Sequence, residues 1–238
     1  MQKGIITFTK GVMGSGKSLW LINEVVKKQY ADYATLTFVP KIIHKPGFVY
    51  SRFGQNQCKE GGSDLEDRLQ GVSIPALTIK DSKQFRQYID GHLQKIREAE
   101  KTLGFRRGQY RLLISIDEVQ FLDSGIVKQV QYCQNEGIDV NLTGLVLNYR
   151  GDPFIFVVDK KDAIGNMLCI ADVINEEKST CQWKKDDGSI CGKPADRTQR
   201  FRGLDHKEPS HYEDKLVVVD GRYYIPSCKN CHKVPWKF

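Results

Sequence analysis

GVMGSGKS, residues 11–18, follows a short apolar run (GIITFT, residues 4–9) and precedes an apolar stripe at helical spacing. It fills every specified position of the pattern G-x-x-x-x-G-K-[ST] with Gly11, Gly16, Lys17 and Ser18. The flanking strand and helix are the context that gives the pattern meaning. Glycines free the backbone to turn successive N–H groups inward into a concave anion site. The positive end of the following helix adds to the attraction. The main chain from Gly11 through Val12, Met13, Gly14, Ser15 and Gly16 is therefore expected to cradle the phosphates of a nucleoside triphosphate. Lys17 would reach the β- and γ-phosphates and the Ser18 hydroxyl would ligate Mg²⁺.

Outward from this loop, strands and helices alternate. From Ser18 the residues Leu19, Leu21, Ile22, Val25 and Val26 form one stripe, with Lys27 and Lys28 in the last turn. Residues 35–39 read as a strand stopped by Pro40, and residues 41–75 as a long loop rich in Gly, Pro and polar residues. Residues 82–103 read as a helix with Phe85, Ile89, Leu93 and Ile96 inward. RLLISIDE (residues 111–118) and VNLTGLVL (residues 140–147) read as strands. A helix carrying Ile126, Val127, Val130 and Cys133, ending near Gly137, lies between them, and a last helix is expected over 163–174. This alternation predicts an α/β fold: a parallel sheet flanked by helices, of the P-loop NTPase-like kind. After about residue 172 the chain turns polar and cysteine-marked, with KLVVVDG (residues 215–221) as its one clear strand. Two domains are expected, 1–172 and 173–238.

Two further groupings carry chemistry. Open α/β sheets place ligands at the carboxyl ends of their strands, where LLISIDE ends in Asp117 and Glu118. Asp117 is the natural partner of the Mg²⁺, whereas Glu118, one residue on, faces away from it in an extended chain and suits a general base near the γ-phosphate. Among the seven cysteines, Cys181, Cys191, Cys228 and Cys231 fall in the last 58 residues and read as a structural zinc site. KKDDGS, between the first two, is turn-forming and would let them meet across a hairpin; His232 is a possible substitute ligand. Cys133 and Cys169 read as core residues, and Cys58 carries no assignment.

Composition limits the rest. Apolar residues at 40% and charged residues at 27% are those of a folded globular chain. No window approaches a membrane span, and the N-terminal apolar run is too short for a secretory segment, so a cytoplasmic protein is expected. The formal charge of +7 is spread along the chain and selects no partner.

Five stretches taken in order resemble the thymidine kinase family of the cellular, zinc-containing type: KGVMGSGKS, IDEVQF (residues 116–121), GLVLNYRGDPF (144–154), CGKPADRTQRF (191–201) and YYIPSCKNCHKVP (223–235). The resemblance implies phosphoryl transfer from ATP to the 5′-hydroxyl of thymidine, giving dTMP in nucleotide salvage for DNA synthesis. It also implies Mg²⁺ as cofactor and structural Zn²⁺ in a small C-terminal lasso domain that closes over the nucleoside. By position, Glu118 would accept the hydroxyl proton, while Asp117, Val119 and Gln120 would line the nucleotide and metal region. Tyr149 stands where the family sets an aromatic ring against the base, Met13, Leu145 and Thr198 fall at pocket positions, and Tyr224 matches the lasso tyrosine. In the family the base is held largely by lasso main-chain groups. Relatives are usually homotetramers inhibited by the end-product triphosphate, so dTTP is the expected inhibitor.

The chain departs from the pattern in places. Seven extra residues separate Cys181 from Cys191, Tyr149 replaces the usual Phe, Asn148 replaces a customary acid, and the lasso glycines are reduced to VVVDGRYY. The rival reading is a nucleic-acid-dependent ATPase with a zinc module. That reading needs a nucleic-acid surface with aromatics among basic residues, and FRRGQYR (residues 105–111) is the only stretch of the kind. Neither nucleic acid nor membrane is therefore expected as a partner.

Overall fold

The computed structural model describes residues 2–42, 47–51, 72–104 and 111–236. FRRGQYR apart from Arg111, Cys58 and most of the expected loop at 41–75 lie outside the described residues.

The chain starts with β1 (Ile6–Gly11), the glycine loop, α1 (Lys17–Tyr30) and β2 (Ala34–Pro40). Within 41–75, where a loop is expected, β3 (Phe48–Tyr50) and β4 (Ser73–Pro75) pair antiparallel with Val49 opposite Ile74. There follow β5 (Leu77–Ile79), α2 (Ser82–Leu103), β6 (Leu112–Ile116), α3 (Ile126–Asn135), β7 (Asp139–Gly144), α4 (Gly165–Ile170) and β8 (Val173–Glu177). Six of these strands form one parallel sheet in the order β5-β2-β6-β7-β1-β8.

Local chemistry explains the elements. β6 is apolar and fully buried along its length because both of its faces are covered, as central parallel strands require. On β2, Phe38 packs into the larger core with Phe85, Ile89, Ile126 and Val130, while the next residue, Val39, faces Leu21 and Ile22 of α1 on the other side. The sheet is thus flanked by helices on both faces. α2 is capped at its start by the Asp81 carboxylate, which accepts from the Gln84 amide at 2.8 Å, and at its end by Gly104 at φ 69°.

Two expectations are corrected at the end of this sheet. The helix expected over 163–174 is only Gly165–Ile170, and Val173–Glu177 runs parallel to β1 as the edge strand β8. The sheet therefore continues beyond residue 172. Cys169, expected in the core, is exposed, whereas Cys133 is buried as anticipated.

The C-terminal part is built from small antiparallel pairs: β9 (Ser179–Thr180) with β10 (Pro194–Ala195), and β11 (Arg197–Arg200) with β12 (Tyr224–Ser227). KLVVVDG, expected as a strand, has no strand partner. Both main-chain polar groups of Val218 are taken by a side chain, the Tyr224 hydroxyl, which donates to the carbonyl at 2.8 Å and accepts from the amide at 3.2 Å. An extended apolar segment satisfied in this way has no need of a sheet.

Candidate active site

The glycine loop turns where it must. Gly14 and Gly16 adopt φ of 72° and 95°, which side-chain-bearing residues rarely take. A Cβ on Gly11 would lie 2.4 Å from the Ser15 hydroxyl and 2.6 Å from the Glu177 carbonyl. Lys17 is buried and its ammonium donates to the Val12 carbonyl at 2.8 Å, which folds the side chain back over the loop.

β7 lies between β6 and β1, and its end joins the acidic pair to the loop. The Ser18 hydroxyl donates to Asp117 at 2.9 Å, and the Thr143 hydroxyl of β7 donates to the same carboxylate. Burial, followed by the neighbouring Glu118 carboxylate, pushes the Asp117 carboxyl up to about 6. A buried carboxylate beside a loop serine is the hard oxygen pair that Mg²⁺ accepts.

Directly after Asp117 the chain reverses. Glu118 sits at φ 53° and ψ 47°, left-handed for a non-glycine residue, and its amide donates to Thr143 Oγ1 at 3.3 Å. The chain is therefore not extended here, yet the two carboxylates still diverge. Asp117 faces the loop and Glu118 lines a pocket. Gln120 fixes the second carboxylate: its amide nitrogen donates to Glu118 Oε2, while its oxygen accepts from the Leu145 amide at 3.2 Å.

That pocket encloses about 610 Å³ including its open mouth. Met13, Glu118, Leu145, Tyr149, Thr198 and Tyr224, each singled out in the sequence, all line it. Three wall residues passed unnoticed: Phe121 and Phe154, whose rings meet edge to face at 6.1 Å, and Leu147. Leu216–Val219 supply the remaining wall. Thr198 accepts the Met13 amide at 3.1 Å, which joins the pocket directly to the glycine loop. Val119 and Gln120 are both fully buried, Val119 in the core and Gln120 with its amide nitrogen on Glu118.

The four C-terminal cysteines converge. Their sulfurs lie within 4.8 Å of one another, and the Cys191 and Cys228 sulfurs are 3.9 Å apart. Zinc–sulfur bonds near 2.3 Å in a tetrahedron place sulfurs about 3.8 Å apart, so the cluster is of the right size for zinc. Cys181 and Cys191 meet across a hairpin in which the Cys191 amide donates to the Trp183 carbonyl and the Lys185 amide to the Ser189 carbonyl. His232 is not in the cluster; its Nε2 donates to the Tyr149 carbonyl at 2.7 Å.

The thymidine kinase family model matches residues 66–232, more than two thirds of the chain. This chain belongs to the thymidine kinase family. The match takes in the acidic pair, the pocket tyrosines and all four cysteines, but it begins after the glycine loop. In this family member the phosphate site thus stands on its own motif and geometry. Membership makes the chain a kinase that uses a nucleotide. Among the described residues, no helix is long and apolar enough to cross a membrane.

Proposed function

We propose that this chain is a thymidine kinase that transfers the γ-phosphoryl group of ATP to the 5′-hydroxyl of thymidine, yielding dTMP and ADP. One observation carries the reading: the Glu118 carboxylate stands in the wall of an apolar, tyrosine-bearing pocket, next in sequence to the carboxylate that holds the phosphate-loop serine. A donor anion on the glycine loop and an acceptor hydroxyl in the pocket can meet there.

In this reading the main-chain amides of residues 11–16 and Lys17 bind the triphosphate. Mg²⁺, held by Ser18 and Asp117, neutralises charge on the phosphates when bound. Glu118 accepts the 5′-hydroxyl proton as the new oxygen–phosphorus bond forms and the bond to the ADP oxygen breaks. Its left-handed backbone and the Gln120 amide hold the carboxylate in place before substrate arrives. Tyr149 and the apolar wall accept the base, and the lasso segment closes over it. Zinc on the four cysteines braces the lasso, dTTP acts as end-product inhibitor, and the working form is a homotetramer.

The deciding experiment supplies ATP with each deoxynucleoside in turn, with and without single-stranded DNA, and follows ADP and deoxynucleotide together. Thymidine-dependent ADP with equimolar dTMP is expected. ATP consumption that depends on DNA and yields no deoxynucleotide would overturn the assignment.

A further inference from the structure

Arg200 is the largest fully buried side chain among the described residues, 2% exposed, and its guanidinium fork meets main-chain carbonyls and a hydroxyl rather than a carboxylate. Its Nε donates to Ser210 Oγ at 2.8 Å, and its Nη1 donates to the Lys215 carbonyl and, at 3.5 Å, to that of Leu216. Its planar face lies 3.7 Å from the centre of the Tyr149 ring. A buried guanidinium is costly unless its donors are satisfied, and a planar fork can grip two carbonyls while stacking on a ring, which an ammonium cannot. The nearby Asp214 carboxylate is engaged by Arg202 at 2.8 and 2.9 Å, which leaves Arg200 to the lasso main chain.

A second anchor adjoins the first. The Tyr149 hydroxyl, absent where the family has Phe, reaches the carbonyls of His211 at 2.8 Å and Asp214 at 3.0 Å. Arg150 Nη2 donates to the same Asp214 carbonyl at 2.9 Å. Carbonyls at 211, 214, 215 and 216 therefore all converge on Tyr149, Arg150 and Arg200. The pocket wall Leu216–Val219 begins where these anchors end, and the Tyr224 hydroxyl grips Val218 beyond them. Arg200 and Thr198 alternate on β11 and so share a face. One strand face thus carries both the tie to the glycine loop and the grip on the lasso.

We propose that Arg200 is a positioning residue for nucleoside recognition: by gripping the Lys215 and Leu216 carbonyls while stacked on Tyr149, it sets the main-chain register of the lasso over the base. This rests on the reading of the pocket as a nucleoside site. Leu216–Val219 wall the pocket and Arg200 does not, so the residue that fixes this main chain governs discrimination without touching the ligand.

The test uses the full chain carrying R200K, R200M or Y149F. Amide hydrogen exchange is measured without substrate, and KM and kcat are measured with thymidine and ATP. For R200K the expected result is exchange at residues 216–219 faster by about tenfold or more, with β1, β6 and β7 unchanged. The thymidine KM should rise about 10- to 100-fold, as loss of a charged hydrogen bond implies, with the ATP KM within about twofold. R200M, which removes the charge as well, should go at least as far; the effect already present in R200K, which keeps the charge, shows that fork geometry matters and not charge alone. Wild-type exchange with an unchanged thymidine KM overturns the proposal. So does a rise of both KM values together with faster exchange throughout the sheet, which marks a merely structural role. Should neither Arg200 variant fold, Y149F decides: faster exchange confined to 211–219 supports the clamp, and no change there refutes it. Because exchange needs no ligand, a wild-type chain that phosphorylated no nucleoside would defeat the proposed function while leaving the clamp to be judged separately.

Discussion

Asp117→Asn should stabilise the ligand-free protein while disabling it, and the gain should depend on pH. Asp117 is buried beside Glu118, and these two causes, in that order, lift its carboxyl from 3.8 to about 6 in the folded chain; the Thr143 and Ser18 hydroxyls oppose the rise. Below about pH 4 the carboxyl is protonated in folded and unfolded chains alike and costs nothing extra. Between about pH 4 and 6 the folded chain keeps a proton that the unfolded chain has released, so stability falls as pH rises through that window. Above about pH 6 the full penalty applies, on the order of 3 kcal/mol for a rise of this size. Asparagine has nearly the same shape, keeps one oxygen for the two hydroxyls and carries no charge to desolvate. For a chain of this length about 2–4 °C accompanies each kcal/mol, so D117N should melt on the order of 6–12 °C above wild type at pH 8. The gap should close toward pH 4. Thermal melts in chelator across that range, beside turnover at pH 8, form the assay. A variant that melts lower than wild type at pH 8, or a gap that ignores pH, would refute the reasoning that the site retains this carboxylate against the interest of the fold.

Other expectations can be checked quickly. Glu118→Gln should leave ATP binding near wild type while kcat falls on the order of 10²- to 10⁴-fold, the usual worth of a general base; single-turnover kinetics beside a binding titration separate the two. Lys17→Ala should lower turnover to background, since charge on the β- and γ-phosphates goes uncompensated; a near-normal rate counts against the loop assignment. Elemental analysis should find about one zinc per chain, and Cys191→Ser should lower that content and loosen the hairpin closed by the Cys191 amide, visible as faster exchange at 181–193. Phe85→Ala should cost about 3–5 kcal/mol in urea unfolding, because Phe85 is fully buried with its ring 5.0 Å from Phe38.

Features whose signal is local could be read from the residues. The glycine loop needs particular backbone angles, and only certain residues supply them, so GVMGSGKS is nearly unambiguous. α2 announces itself by Phe85, Ile89 and Leu93 at four-residue spacing on the face toward the core. The hairpin between Cys181 and Cys191 follows from turn chemistry in KKDDGS, despite the unusual spacing. Features that depend on partners far along the chain were harder to see. LVVV looks like a strand because β-branched residues favour extended backbone, but its hydrogen-bond partners are the side chains of Arg200 and Tyr224, which no window around residue 217 contains. β8 reads VINEE, too polar and short to mark a sheet strand, because as an edge strand it has only β1 beside it. The burial of Val119 cannot be read from its position in DEVQ, because it follows from the left-handed turn at Glu118. Arg200, one arginine in RTQRF, gave no hint of its place beneath Tyr149.

The histidine that follows the last cysteine ties two distant regions together. His232 comes directly after the Cys228–Cys231 turn and holds the backbone oxygen of Tyr149, the ring residue of the pocket wall. If those four thiols hold zinc, an oxidant that bridged them and displaced it would slacken the aromatic seat from behind, through His232. Weakened nucleoside capture after oxidation, reversed by reductant plus metal, would be the outward sign of that mechanical link.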